Sequence, residues 1–357
     1  MWHHPKNTNF KRQGTSFMPS HHRSSPAHMH LTPRRQLLAL TIATVLAPAT
    51  SWAQTQRMYR IGVTKIVSHA ALDADEKGFE AGLASAGFKE GVNVTYLRRN
   101  AQGDMATADT IARELVAEKP DLIHAIATPT AQAVMRTGSQ IALIFSSVTD
   151  PVRAGLVPAN SAPGQKTGTH VTGLSDPWPV RLQFETYARA VPKAKTWGTI
   201  YNPQESNSLS HIQIMRDTAK GLGLTLLEVT IKRSSEVGEA AASLVGKVQA
   251  ITITSDNTTV ANLEALVQVC NQHKIALFAG DTDSVARGAM MAYGLDYFLV
   301  GYSAGRKAAL VLKGIKPGDV PWGPVEKFSL VINTRAARAQ GVSMPPELLA
   351  RADKVID

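Results

Sequence analysis

The sequence predicts an α/β protein of two lobes, each an open parallel sheet flanked by helices, with a hinge between them. Two observations point there. From residue 59 onward, short β-rich runs alternate with helical segments, as in parallel strands joined by crossover helices. The alternation then restarts near residue 197, and the two halves share sequence. IALIFSSVTDPVRAG (141–155) aligns with IALFAGDTDSVARG (275–288), and GLASAGFKEGVNV (82–94) with DTAKGLGLTLLEV (217–229). The first pair places Thr149-Asp150 and Thr282-Asp283 at equivalent points just beyond an Ile-Ala-Leu strand. A duplicated unit explains this better than convergence.

In the first half, strands are expected at 60–66 (RIGVTKI), 92–97, 122–127 and 141–146. The helix at 72–86 has Leu72, Phe79 and Leu83 on one face and Gly87 as its stop. The helix at 107–118 turns Ile111, Leu115 and Val116 inward and ends before Pro120, and a third covers 130–137. In the second half, strands at 197–201, 225–229, 250–254 and 275–279 alternate with helices at 206–220, 236–245 and 260–274. A helix at 297–312 follows, with Leu299, Val300, Ala304 and Leu310 available to pack. Residues 313–324 form a Gly/Pro-rich connection, 328–332 a strand and 335–340 a short helix. Crossings between the lobes are placed at 172–176, 292–296 and 328–333. One lobe then takes 54–174 plus 296–328, the other 175–295 plus 329–357. Several crossings make a stiff hinge suited to closure about a ligand.

The chain has 357 residues, a formal charge of +10 and one cysteine, Cys270. No intramolecular disulfide and no four-thiolate zinc site is possible. The basicity is uneven. Residues 1–53 carry six Lys/Arg and no acid, leaving 32 basic against 28 acidic residues elsewhere. The charge therefore belongs largely to the leader and says little about a nucleic-acid partner. The leader reads as an export signal. A basic region ends at Arg34-Arg35, an apolar run spans 37–47, and Ser51-Trp52-Ala53 fits an A-x-A cleavage site. The run is too short for a bilayer, which needs roughly 20 residues. Paired arginines suit a twin-arginine signal, but Pro33 precedes them, so the Tat and Sec routes both stay open. The mature chain is expected to be an exported, periplasmic protein beginning at Gln54.

Ligands of open parallel sheets bind beyond the carboxyl ends of the strands, so residues just after predicted strands are the site candidates. Ala127-Thr128-Pro129-Thr130 lies between a strand and a helix. A helix start with two hydroxyls can hold a carboxylate, and Thr128 can equally be a plain N-cap. Gln132 sits one turn further on. Asp150, Asp256, Asp281 and Asp283 all follow strands, where acids can hold an ammonium or merely cap turns; Thr149 accompanies Asp150. Glu205 and Ser206 begin a helix at the cleft. Tyr293 stands at a proposed crossing, between hinge packing and a ligand contact. Tyr201 and Phe145 are the other aromatic candidates, Phe145 better read as core. His69 follows the first strand. No metal is expected, because no histidine accompanies the acids and no EF-hand spacing is present. The one G-x-S-x-G match, Gly301 to Gly305, falls inside the helix expected at 297–312 and not at a strand-to-helix elbow; there is no H-E-x-x-H or P-loop, and Cys270 lies mid-helix, so no enzyme is expected. No cofactor is expected either.

VSHAALDADEKGFEAGL, NAQGD, ELVAEKPDLIHAIATPTAQAV, VTDPVRAGLV, VTGLSD, YNPQESNS, LVGKVQAITITSDNT, AGDTDSVARGAMMAYGLDY and LVINTRAA follow one another through the chain. Together they resemble a family of ABC-transporter substrate-binding proteins. Ser255-Asp256-Asn257 stands where Thr-Asp-Asn is usual, and Thr130 where Ala is common. The resemblance implies the periplasmic-binding-protein type I fold, two Rossmann-like lobes closing on a small molecule, and a membrane permease as partner. Some members bind aromatic amino acids. The implied ligand is thus a small polar solute, an amino acid first, its carboxylate at Thr128–Thr130 and its ammonium among Asp150, Asp256, Asp281 and Asp283. Asn257 joins that set. A monomer is expected, with no nucleic-acid partner. A sensor module for a membrane receptor and a periplasmic hydrolase or isomerase stay open as alternatives.

Overall fold

The computed structural model describes residues 57–357; the export signal read at 1–53 lies outside the described residues. The first half runs β1 (Tyr59–Lys65), α1 (Ala70–Ser85), β2 (Val94–Asn100), α2 (Met105–Ala117), β3 (Leu122–Ile126), α3 (Thr128–Arg136), β4 (Ala142–Val148) and β5 (Val171–Ser175). The second runs α4 (Val180–Ala190), β6 (Thr196–Tyr201), α5 (Ser206–Gly221), β7 (Thr225–Thr230), α6 (Val237–Ser243), β8 (Ala250–Thr252), α7 (Asn257–Ala261), α8 (Leu263–His273), β9 (Ala276–Asp281), α9 (Asp283–Ala286) and β10 (Met291–Leu295). Then come α10 (Tyr297–Leu312), β11 (Gly323–Pro324), β12 (Phe328–Asn333), α11 (Thr334–Ala339), α12 (Pro346–Arg351) and β13 (Lys354–Ile356).

Two sheets result, with strand orders β11-β5-β4-β3-β1-β2 and β13-β12-β10-β9-β8-β6-β7. Pairing is parallel throughout except between β10 and β12. The central orders match: β5-β4-β3-β1-β2 repeats as β10-β9-β8-β6-β7, and the aligned 141–155 and 275–288 supply the equivalent strands β4 and β9. Helices cover both faces of each sheet. The first lobe's core gathers Phe79, Leu83, Leu115, Ile123 and Phe145. In the second, one face stacks Phe184, Trp197, Phe278 and Tyr187 in a row, with ring centroids 4.5–5.4 Å apart. The other face buries Leu263, Leu266, Leu277 and Cys270, and burial pushes the Cys270 thiol up to about 12.

Several expectations needed correction. Residues 172–176 and 292–296 are largely strand, β5 and β10, and β12 lies within the second sheet, paired with β10 from Met291↔Ile332 to Leu295↔Phe328. The segments joining the sheets are 176–179, 296 and 325–327. The helix expected at 260–274 is broken at Asn262 (φ −122°) into α7 and α8. Helix α4 was not anticipated. Its buried stripe passes through Gln183, a polar residue whose amide donates to the Tyr293 carbonyl at 2.9 Å, so the apolar period is interrupted.

Although α10 follows the second sheet in the chain, it packs on α1 of the first lobe. A Cβ on Gly78, Gly82, Gly301 or Gly305 would lie 1.8–2.3 Å from a carbonyl oxygen of the facing helix. Glycine at these positions lets the two backbones touch.

Candidate functional site

A cavity opens at the carboxyl ends of both sheets. The first lobe contributes His69, Ala71 and Leu72 after β1, and Ser147 and Thr149 at the end of β4. The connection after β5 contributes Asp176 and Trp178, and Tyr297 comes from the start of α10. The second lobe contributes Asn207 from α5, Ser255, Asp256, Asn257 and Val260 after β8, and Asp281 at the end of β9. The lobes touch around it. Thr149 Oγ1 and Ser255 Oγ share a hydrogen bond of 3.1 Å, His69 Nε2 lies 3.5 Å from Asn257 Oδ1, and Ser206 Oγ donates to Gln132 Oε1 at 3.4 Å. Although Thr149-Asp150 and Thr282-Asp283 are equivalent in the two halves, the partner of Thr149 across the cleft is Ser255.

Of the residues singled out in the sequence, His69, Thr149, Asp256, Asn257 and Asp281 wall the cavity. Two of these are already saturated. Asp256 accepts from Asn202 N, Ser208 Oγ, Thr259 N and Thr259 Oγ1 at 2.6–2.8 Å and caps α7. Burial, with Glu205 nearby, pushes it up to about 7. Asp281 accepts from both the Ser284 amide and hydroxyl, and burial raises it.

The other candidates do not line the cavity. Thr128 is buried with its hydroxyl unpartnered. The Thr130 hydroxyl donates back to the carbonyls of Ile126 and Ala127. Asp150 turns back to accept from the Arg153 amide at 2.9 Å. Glu205 is taken up by the amides and side chains of Asn257 and Thr258 and by Asn207. Gln132 and Ser206 meet across the lobes instead, and Gln132 also donates to the Ala154 carbonyl. Asp283 lies away from the cavity, near Asp281 and Asp296, its carboxyl pushed up to about 7 chiefly by burial. Tyr293 packs its ring near Phe328, centroids 6.0 Å apart, and its amide donates to the Tyr187 hydroxyl oxygen.

The residues that sequence reasoning missed are the better equipped. Asp176 is 2 % exposed. Its Oδ2 accepts from the Tyr297 hydroxyl at 2.6 Å, while Oδ1 is buried with no partner. Burial pushes the carboxyl up to about 7. Trp178 Nε1 donates to Tyr297 Oη at 3.0 Å, so one hydroxyl ties the hinge acid to the indole. Room for the indole exists because residue 280 is glycine: a Cβ there would lie 1.9 Å from the Trp178 ring. The sequence signals for this pair were the VTGLSD stretch of the family resemblance and the position of Asp176 and Trp178 at and just after a proposed crossing.

Two more polar atoms are left over at the cavity walls. Asn207 gives its amide hydrogens to Glu205 and the Ser255 carbonyl, and its Oδ1 is buried without a partner. Asn257 likewise spends its amide nitrogen on Glu205, so its Oδ1 faces His69 and requires a proton on His69 Nε2. His69 Nδ1 is then a buried, unpartnered acceptor, and burial holds the ring neutral, down at about 4. All three leftover atoms accept and none donates. The start of α1 also opens here: its N-cap His69 makes no capping bond, and Ala71 and Leu72 lie at the wall. The amides of that turn and the helix dipole favour a negative group.

Beneath the wall, α1 carries a fully buried acid, Asp75. Its Oδ1 accepts from Ser146 Oγ at 2.9 Å and its Oδ2 from Ser147 Oγ. His124, stacked on Phe79 with centroids 3.7 Å apart, shares a 2.7 Å bond with Ser146 Oγ. Burial pushes Asp75 up to about 7 and His124 down to about 3.

Comparison with known proteins places this architecture. The chain is 38% identical over 285 residues to a protein named tyrosine-binding protein from Clostridioides difficile, covering 80% of this chain and 81% of that one. An ABC domain from Streptococcus pneumonia solved in complex with L-Trp matches with a TM-score of 0.79 at 31% identity, over 84% of this chain and all of that one. The ligand-free, open structure of a substrate-binding protein with adhesive properties from Clostridium difficile gives only 0.61 at 33% identity, over 84% and 99%. At nearly equal identity the present structure is closer to the liganded one, in keeping with its hydrogen bonds across the cleft. Solute-binding proteins at 13–14% identity still share the fold, with TM-scores of 0.54–0.57. These relatives are binding proteins, not enzymes. Residues 60–356 match the family described as ABC transporter substrate binding protein, and the chain belongs to that family.

Proposed function

We propose that the cleft captures an amino acid with an aromatic side chain and that the chain delivers it to the permease of an ABC importer. The observation that carries the reading is the set of three buried acceptors without donors, Asp176 Oδ1, Asn207 Oδ1 and His69 Nδ1. A primary ammonium brings three donors and no acceptor, and with an ionised Asp176 it makes a charge-assisted bond. The carboxylate sits at the uncapped start of α1, the role expected of Thr128–Thr130. Trp178, Tyr297, Leu72 and Val260 supply the apolar surface for a ring. The names of the relatives, which mention tyrosine and L-Trp, support the same ligand class.

The lobes close as two bodies, 54–174 plus 296–328 and 175–295 plus 329–357, about the three connecting segments. Export through the 1–53 leader releases a monomeric periplasmic protein. The mature N-terminus is Gln54, and N-terminal sequencing of the exported protein checks it.

Titration calorimetry with L-tyrosine, L-tryptophan and N-acetyl-L-tyrosine tests the ligand. One or both free amino acids should bind, and acetylation, which removes the ammonium, should weaken binding at least tenfold. Equal affinity for the acetylated compound rejects ammonium recognition. Loss of labelled amino-acid uptake on deleting the gene tests the import role.

A further inference from the structure

Ser147 is one of the few residues other than glycine with a left-handed backbone (φ +53°). It stands at the cavity wall, where the pairing of β4 with β5 slips between Phe145 and Val148. That conformation is costly for any residue with a Cβ and persists only where the surroundings impose it. The surrounding group is Asp75, which holds the Ser147 hydroxyl from below. Asp75 is itself held: its second oxygen takes Ser146 Oγ, and its backbone carbonyl abuts Gly301 of α10. The consequence passes along the chain. The next carbonyl, that of Val148, accepts the amide of Asp176 at 3.1 Å.

We propose that Asp75, which does not touch the cavity, is a positioning residue: by clamping Ser147 in the left-handed conformation it sets the Val148 carbonyl and so aims Asp176 into the ligand cavity. The assignment of Asp176 to the ligand rests on the reading above; the clamp itself does not.

The test separates the two with one measurement that needs no ligand and one that does. S147A and S147G both remove the hydroxyl, but only glycine adopts a left-handed backbone freely. In the ligand-free protein, hydrogen exchange at the Asp176 amide should accelerate at least tenfold in S147A and in D75A. It should stay within a few-fold of the parent in S147G and in D75N, which keeps an acceptor for the serine. In the S147G background, D75A should add little further acceleration. Unchanged Asp176 protection in S147A and D75A overturns the clamp, as does equal acceleration in S147A and S147G. Affinity for L-tyrosine and L-tryptophan should follow the same order, with S147A and D75A at least tenfold weaker than S147G. If the parent binds neither amino acid, the ligand reading fails while amide exchange still decides the clamp. If exchange follows the predicted order but S147A and S147G bind equally, the clamp holds the backbone without serving the ligand, and its positioning role is rejected. A D75A that does not fold leaves the decision to the two serine variants, which keep Asp75 bonded to Ser146.

Discussion

At the scale of single residues, the cavity depends on what surrounds each acid more than on how many acids there are. Asp256 and Asp281 have every oxygen engaged, whereas Asp176 keeps one oxygen free and buried. Losing one charge-assisted bond of about 1.5–3 kcal/mol weakens binding roughly 10- to 100-fold. Asp176→Ala should therefore lose that much affinity in calorimetry, while Asp150→Ala, which removes only a turn, should bind like the parent. A parent-like Asp176→Ala would remove the acid from the site. Trp178 offers a second check. Gly280→Ala sets a methyl 1.9 Å from the indole, so the ring must leave its seat and its bond to Tyr297. Ligand affinity should fall at least tenfold and the Trp fluorescence spectrum should shift; an unaltered spectrum means the indole accommodates the methyl.

Among the elements, the pair α1 and α10 links the hinge to the cavity. Each begins at the cavity wall, α1 with Ala71 and Leu72 and α10 with Tyr297, and their glycines bring the two backbones into contact. At Gly301 a Cβ would lie 1.8 Å from the Asp75 carbonyl oxygen. The obstacle is main chain, so no side chain can swing aside. Gly301→Ala should cost about 2 kcal/mol or more of stability, read as a lower denaturant midpoint, and should weaken ligand binding as Asp75 is displaced. Gly87→Ala, in open space at a helix end (φ +96°), should cost stability through backbone strain alone and leave affinity intact. This contrast separates packing against the cavity from ordinary helix-end chemistry.

For the whole molecule, buried titratable groups set how stability changes with pH. Asp75, Asp176, Asp256 and Asp283 are pushed up to about 7, above an unfolded value near 3.9. The folded chain therefore holds more protons than the unfolded chain between these values. That stability is present at low pH and is lost as pH rises through about 7. His69, held at about 4, and His124 and His211, held at about 3, act oppositely. They bind protons only on unfolding, and they destabilise the fold as pH falls below about 6.5. Four acids oppose three histidines under acid conditions, so stability still declines with rising pH until the acids are ionised. The ligand-free melting temperature should fall from about pH 5 to about pH 7.5 and level off above; a rise over that range contradicts the assignment. Closure adds a global test. Among the described residues, side chains of the two lobes bond across the cleft, and solution scattering should give a smaller radius of gyration with bound amino acid than without.

The sequence by itself determined the class of the fold, the repeat and most of the elements. These follow from local regularities: the alternation of apolar runs and helical faces, helix ends marked by Gly87 and Pro120, and the Ile-Ala-Leu strands that open the two aligned segments. It also marked the end of the sheets where the cavity opens, and with it His69, Thr149 and Asn257. The tertiary structure decided which residues there are free to bind. Whether an aspartate caps a helix, closes a turn or points an empty oxygen into a cavity depends on neighbours far along the chain. Nothing local in VTGLSDP marks the surroundings of Asp176, and only the approach of Tyr297, 121 residues away, leaves it with one oxygen engaged and the other buried and unpartnered. Helix α4 was hidden for the same reason: the amide of Gln183 is satisfied by a carbonyl 110 residues distant, which makes a polar side chain acceptable in a buried stripe. Local pattern encodes secondary structure and burial; the satisfaction of buried polar groups is a property of contacts made across the fold.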